Sequence, residues 1–226
     1  MNSSPSLRFS NLCKEYLDLA AVDDVSFDVN EGELIALVGH NGSGKSTLLR
    51  IAAGLLEASS GTVSIYGFAP ESLEARGAVS FVPDEPVLYD DLSVWEHLEY
   101  IARLHDAEEW EARAEDLLAR LRLSHRRDDL PSTFSRGLRQ KTSIAVGLIR
   151  PFDILLVDEP FVGLDPSGRQ AFLELLLAMR ADGAAVVVAT HQLEIIEQLE
   201  RCIVMRDGAV VHDGLPDKAV LRDVLG

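Results

Sequence analysis

The sequence predicts an α/β fold: a mostly parallel sheet alternating with helices, an antiparallel β part at the N-terminus and an inserted helical subdomain. Three observations carry this. Continuous apolar runs at Leu34 to Val38, Ile154 to Val157 and Ala185 to Ala189 have the length of strands buried on both faces. Helical patterns lie between these runs, and strand–helix alternation builds a parallel sheet. From about Ser93 to Arg150 the apolar period changes to helical, which reads as a subdomain inserted into that alternation.

In chain order, the first thirty residues alternate apolar and polar side chains, as antiparallel strands with one solvated face do. The strand Leu34 to Val38 follows, then a helix from Lys45 to about Ala53. Thr62 to Ile65 again alternates like an antiparallel strand. In the middle, Val94, Leu98, Ile101 and Ala102 share one helical face, and Trp110, Ala114, Leu117, Leu118 and Leu121 share another. After the strands at 154 and 185, Cys202 to Met205 and Ala209 to His212 read as a pair turned by Arg206-Asp207-Gly208. Residues 1–226 then form a single domain, with 1–92 and 151–226 as the α/β core and 93–150 as the helical subdomain.

The chemistry begins at Gly39-His40-Asn41-Gly42-Ser43-Gly44-Lys45-Ser46, which fits G-x-x-x-x-G-K-[ST], the Walker A pattern. A strand precedes it and a helix follows, the context this pattern needs. Glycines let the backbone wrap phosphates closely enough for N–H groups to point inward. The helix N-terminus, which includes Thr47, adds its positive dipole end. Lys45 is placed to neutralise the β and γ phosphates, and Ser46 offers a hydroxyl to Mg²⁺. Ile154 to Val157 then runs into Asp158 and Glu159, at the strand end where open parallel sheets bind ligands. Asp158 suits Mg²⁺, which prefers oxygen ligands. Glu159 suits a water whose proton it accepts during attack on phosphorus.

Together these motifs resemble the nucleotide-binding subunits of ABC transporters, built on a P-loop NTPase core, over nearly the whole chain. Phe134-Ser135-Arg136-Gly137-Leu138-Arg139-Gln140 stands where that family has its LSGGQ signature; Ser135 and Gly137 match, and Arg136 replaces a glycine. The resemblance implies that Ser135, Arg136 and Gly137 bind ATP held by a second subunit. Gly163-Leu164-Asp165 resembles the D-loop, which crosses that dimer interface. Thr190-His191 resembles the switch histidine at the γ-phosphate, and Tyr16 stands where the family stacks an aromatic ring on adenine. The family's glutamine between core and helical subdomain falls in Phe81-Val82-Pro83-Asp84-Glu85-Pro86, where Asp84 is the aligned residue. Asp84 is expected to report on Mg²⁺, directly or through a water.

The implied activity is hydrolysis of Mg·ATP between two such subunits, a homodimer or a pair of close paralogues. A separate transmembrane permease, docked near Asp84 to Trp95, receives the motion. The signature and the acid at position 84 look like the subfamily serving multidrug, polysaccharide or haem-type exporters, and the short tail after Pro216 leaves no room for a regulatory domain.

Composition narrows the partners. With 37 acidic residues against 21 Lys and Arg, the formal net charge is −16, which opposes binding to nucleic acid or to bare anionic membrane. No apolar run approaches the ~20 residues that span a bilayer, and Met1 to Leu7 lack a secretory pattern. Cys13 and Cys202 have no metal or disulfide spacing and read as small buried residues of a reducing compartment. The expectation is a cytoplasmic protein, peripheral to the membrane through its permease. Two rival readings are an ABC-type ATPase of translation or DNA repair and a nucleotide-sensing scaffold. The net charge opposes the first; intact Lys45, Asp158, Glu159 and His191 oppose the second.

Overall fold

Leu7–Tyr16 (β1) and Leu19–Val29 (β2) pair antiparallel, and alternation puts Leu7, Phe9, Val25, Phe27 and Val29 on the buried side. The computed structural model describes residues 5–17 and 19–225. Leu34–Val38 (β3) is buried at every position. Ser60–Ile65 (β4) joins the other edge of β1, so the N-terminal sheet has the order β2-β1-β4. Val79–Val82 (β5), Ile154–Asp158 (β6), Ala185–Thr190 (β7), Arg201–Arg206 (β8) and Ala209–Gly214 (β9) complete a second sheet with β3. Its order is β5-β6-β7-β3-β8-β9, parallel except for the β8–β9 hairpin. Asp207 and Gly208 at the hairpin turn both have positive φ, 49° and 88°, as a tight two-residue turn requires.

The continuous apolar runs are explained by two cores, one on each face of this sheet. Leu34, Ala36, Val38, Leu155, Val157, Val186 and Val188 face one core; Ile35, Leu37, Ile154, Leu156, Val187 and Ala189 face the other. The second core is closed by the antiparallel sheet and by Lys45–Ala52 (α1). The first is closed by helices. After Leu73–Ala78 (α2) come Val94–Leu104 (α3), Trp110–Arg120 (α4) and Arg136–Leu148 (α5), then Pro166–Ala181 (α6), the short Leu193–Ile196 (α7) and Lys218–Leu225 (α8). The expected faces are the packed ones: Val94, Leu98, Ala102, Trp110, Ala114, Leu117, Leu118 and Leu121 are buried, with Ile101 partly so. Residues 93–150 therefore share one apolar cluster with the sheet.

Local chemistry fixes where the helical stretch begins and ends. Ser93 caps α3 through a reciprocal box, its hydroxyl accepting from Glu96 N at 3.3 Å while Glu96 Oε2 accepts from Ser93 N at 2.7 Å. Buried His97 is bonded at both nitrogens: Nε2 accepts from Tyr89 N at 2.8 Å and Nδ1 donates to Ser93 O at 2.7 Å. That anchors the loop after Asp84 to α3. At the far end, buried Arg150 donates to the carbonyls of Arg76, Gly77 and Val79, joining the chain after α5 to the start of β5.

Three features lie outside the sequence expectations. β5 is four residues long, too short for a periodic signal. The chain after Pro216 forms α8, whose Leu221 and Val224 join the first core. Cys202 is buried as expected, but Cys13 is only partly buried.

Core packing and helix capping both have measurable weight. Phe172→Ala, at a fully buried position against Phe161, is expected to cost about 3–5 kcal/mol of stability in urea denaturation. Ser93→Ala is expected to cost about 1 kcal/mol by loss of the cap.

Candidate active site

Between the end of β3 and the start of α1 the backbone curls tightly. Gly44 has φ +102°, and a Cβ there would collide with the carbonyl oxygen of Ala21, so glycine is required. Lys45 is 5% exposed, and its Nζ donates to Gly39 O at 2.8 Å and His40 O at 3.2 Å. The ammonium thus sits at the centre of the loop Gly39 to Gly44. His40 and Asn41 close the outer rim, with His40 Nδ1 2.8 Å from Asn41 O, and Asn41 and Gly42 are exposed. Ser43 is buried; Ser46 and Thr47 are partly buried in the first turn of α1, which carries no acidic residue. First-turn N–H groups of a helix lack internal acceptors, so this end offers donors and a positive dipole to an anion.

Strand register brings the acids to this loop. Glu159 has φ +44°, a left-handed conformation that costs a non-glycine residue on the order of 1–2 kcal/mol. Its N–H donates to Ala189 O at 2.9 Å, which holds that turn. The carboxylate bridges two partners: Oε1 is 3.6 Å from Lys45 Nζ and Oε2 is 3.0 Å from His191 Nδ1. Asp158 is 1% exposed, and burial pushes its carboxyl above the ordinary range. The Ser46 side chain opposes that rise by hydrogen bonding; the charges of Asp84 and Glu159 add to it, and that of Lys45 opposes it.

Among the described residues, Asp158 Oδ1, Glu159 Oε1 and Ser43 Oγ are buried without a hydrogen-bond partner. Buried oxygens of this kind are costly unless something meets them. A Ser46 hydroxyl beside the Asp158 carboxylate is a hard oxygen donor set, and it fits Mg²⁺.

The signature lies apart from the phosphate loop: no hydrogen bond or ion pair joins Ser135, Arg136 or Gly137 to residues 39–47 among the described residues. Ser135 caps α5, its hydroxyl accepting from Leu138 N at 3.4 Å. Gly137 lies against the loop before α6, where a Cβ would come 2.5 Å from Gly163 O. Asp165 stands at the N-cap position of α6 and pairs with Lys141 at 3.1 Å. Asp84, after β5, lines a cleft of about 800 Å³ together with Ser46 and Asp158. Tyr16, at the end of β1, is 46% exposed with Lys14 Nζ 5.3 Å from its ring centre, so it is a surface residue and not part of the core.

Sequence reasoning missed Lys141 and Ser167, which hold Asp165. The spacing held a clue for the first, because Gly137 and Lys141 are four apart on α5 and so share a face. Hydrogen bonds from Ser167 Oγ, at 2.6 Å, and then from Lys141 lower the Asp165 carboxyl to about 2. A depressed carboxyl adds stability that is present above its ordinary 3.8 and is lost as pH falls through about 2. Ser167→Ala is expected to raise the Asp165 titration toward 3.8, as followed by carboxyl ¹³C NMR.

A family model described as ABC transporter matches residues 22–162. The chain is 36% identical to the macrolide export ATP-binding/permease protein MacB of Bradyrhizobium diazoefficiens, covering 96% of this chain and 35% of that protein. It is 30% identical to the lipopolysaccharide export system ATP-binding protein LptB of Escherichia coli, covering 96% and 93%. The fold superposes with TM-score 0.86 on the dimeric post-hydrolysis state of the ATP-binding cassette MJ0796 bound to ADP and Pi, at 28% identity over 93% of this chain and 99% of that one. The chain belongs to the ATP-binding subunits of ABC transporters, a family whose general activity is ATP hydrolysis.

Proposed function

We propose that two copies of this chain, or this chain and a close paralogue, bind Mg·ATP between them and hydrolyse it to power a separate membrane permease that exports its cargo. The observation that carries the reading is the line Lys45–Glu159–His191, buried at Lys45 and Glu159 and open to solvent at His191, with Ser46 and Asp158 beside it.

Gly39 to Thr47 wrap the phosphates with backbone N–H groups, and Lys45 neutralises the β and γ oxygens. Ser46 and Asp158 hold Mg²⁺, with Asp84 at the edge of the same cleft. The chemistry that bound Mg²⁺ supplies is neutralisation of charge on the phosphate oxygens. Glu159 is the general base: Oε2 is tied to His191, which orients the carboxylate, and Oε1 takes the proton of the attacking water. His191 uses Nδ1 on Glu159, leaving Nε2 for the γ-phosphate. Tyr16, exposed, stacks on adenine. Ser135, Arg136, Gly137 and Asp165 serve the nucleotide of the other subunit, and the dimeric MJ0796 cassette supports that arrangement.

Val87 and Tyr89, 84% and 54% exposed, lie in the loop Asp84 to Trp95 and offer an apolar face to the permease. No helix among the described residues is long and apolar enough to cross a membrane; in this reading the permease spans the membrane and this chain sits at its cytoplasmic face. Export is supported by the names of MacB and LptB. The charge of −16 speaks against a nucleic-acid role.

Glu159→Gln is expected to retain ATP and to release phosphate ~10²–10⁴-fold more slowly, the range for loss of a general base. Near-normal turnover would remove Glu159 from that role, and absence of turnover in the wild type would favour a nucleotide-binding scaffold.

A further inference from the structure

Two residues that depart from the family pattern meet in space. Arg136 Nη2 lies 3.9 Å from Asp84 Oδ1, joining the start of α5 to the loop after β5. Arg136 is the first residue of α5, where a cation stands against the positive end of the helix dipole. No acid in the first turn of α5 offsets it. Its stem rests on the D-loop, since a Cβ at Gly163 would stand 3.4 Å from Arg136 Cγ. The stem is therefore seated while the guanidinium end stays free, the side chain being 66% exposed. Asp84 looks the other way as well. It shares a cleft with Ser46 and Asp158, and its charge is felt at the Asp158 carboxyl.

The strength of the pair decides its use. An exposed pair at this separation shifts an equilibrium by about fivefold at most, too little to be a structural clamp. A guanidinium on phosphate oxygens makes shorter, charge-assisted and often bidentate bonds, worth about tenfold or more. A phosphate presented to Arg136 therefore wins it from Asp84.

We propose that Asp84 and Arg136 form an intrachain latch. In a separated subunit Asp84 holds the guanidinium. In the ATP sandwich Arg136 transfers to phosphate oxygens of the nucleotide on the partner, and Asp84 is freed toward the Mg²⁺ side of its own nucleotide. The latch rests on the sandwich reading above. It gives each subunit a phosphate ligand that a glycine at position 136 would lack, and it links sandwich closure to the charge around Asp158.

The test uses E159Q, which is expected to hold Mg·ATP, with the dimer dissociation constant read by sedimentation at low and high NaCl. Each dimer holds two Arg136 contacts, together about a hundredfold at about tenfold per contact, offset about tenfold by the two latches that must open, so R136G is expected to weaken the dimer about tenfold and to flatten its salt dependence. Affinity for a fluorescent ATP analogue measured on dilute monomer should not change. D84N should tighten the dimer about tenfold, and D84N/R136G should behave as R136G alone, because an acid with nothing to hold has no effect. Overturning results are an R136G dimer as tight as its parent, or a D84N gain that survives in the double variant. If E159Q itself stays monomeric with Mg·ATP, the sandwich falls and the latch falls with it; a dimerising parent with an indifferent R136G removes the latch alone.

Discussion

The register of three parallel strands sets the rest of this molecule. Val38 lies opposite Thr190, and Ala189 lies opposite Asp158. One step beyond those pairs the chain reaches Gly39, His191 and Glu159, so motifs far apart in sequence emerge side by side. Both faces of these strands are buried, and a slip by one residue would exchange the two cores. The apolar packing that holds the register is thereby the force that positions the polar site.

That position carries a cost, which the site meets with its own charges. A buried ammonium is unfavourable unless it is bonded and paired, and Lys45 has two carbonyls and the Glu159 carboxylate. Glu159 is in turn held by Ala189 O and His191, in a backbone conformation that few residues adopt. Strain of this sort persists where surrounding structure over-determines it, and it concentrates where chemistry occurs. The same burial raises the Asp158 carboxyl, because the charged form loses its hydration there.

A second centre sits at the N-terminus of α5, away from the phosphate loop. Gly137 approaches Gly163 closely, Lys141 pairs with Asp165, and Arg136 reaches Asp84. The signature is thus bound on one side to the D-loop and on the other to the loop that carries Asp84. The D-loop contact is close packing, whereas the contact to Asp84 is a single exposed ion pair. The loop after β5 is in turn tied to α3 through His97.

Much was legible in the chain itself, because the decisive signals are local. The apolar runs 34–38, 154–157 and 185–189, the glycine-rich loop and the acids after Val157 all declare themselves within a few residues. Helical faces in 93–150 follow from spacing alone. What the sequence left hidden depends on contacts between distant segments. β5 is too short to show a period and exists because it pairs with β6. Lys141 and Ser167 acquire meaning only when α5 and α6 bring them to Asp165. Arg136 and Asp84 read as two separate departures from a family pattern until the fold sets them 3.9 Å apart. Sequence determined most of the elements and the chemistry of the motifs, since periodicity and motif are properties of neighbouring residues. Tertiary structure decided which charges face one another, since only packing sets the distance between groups remote along the chain.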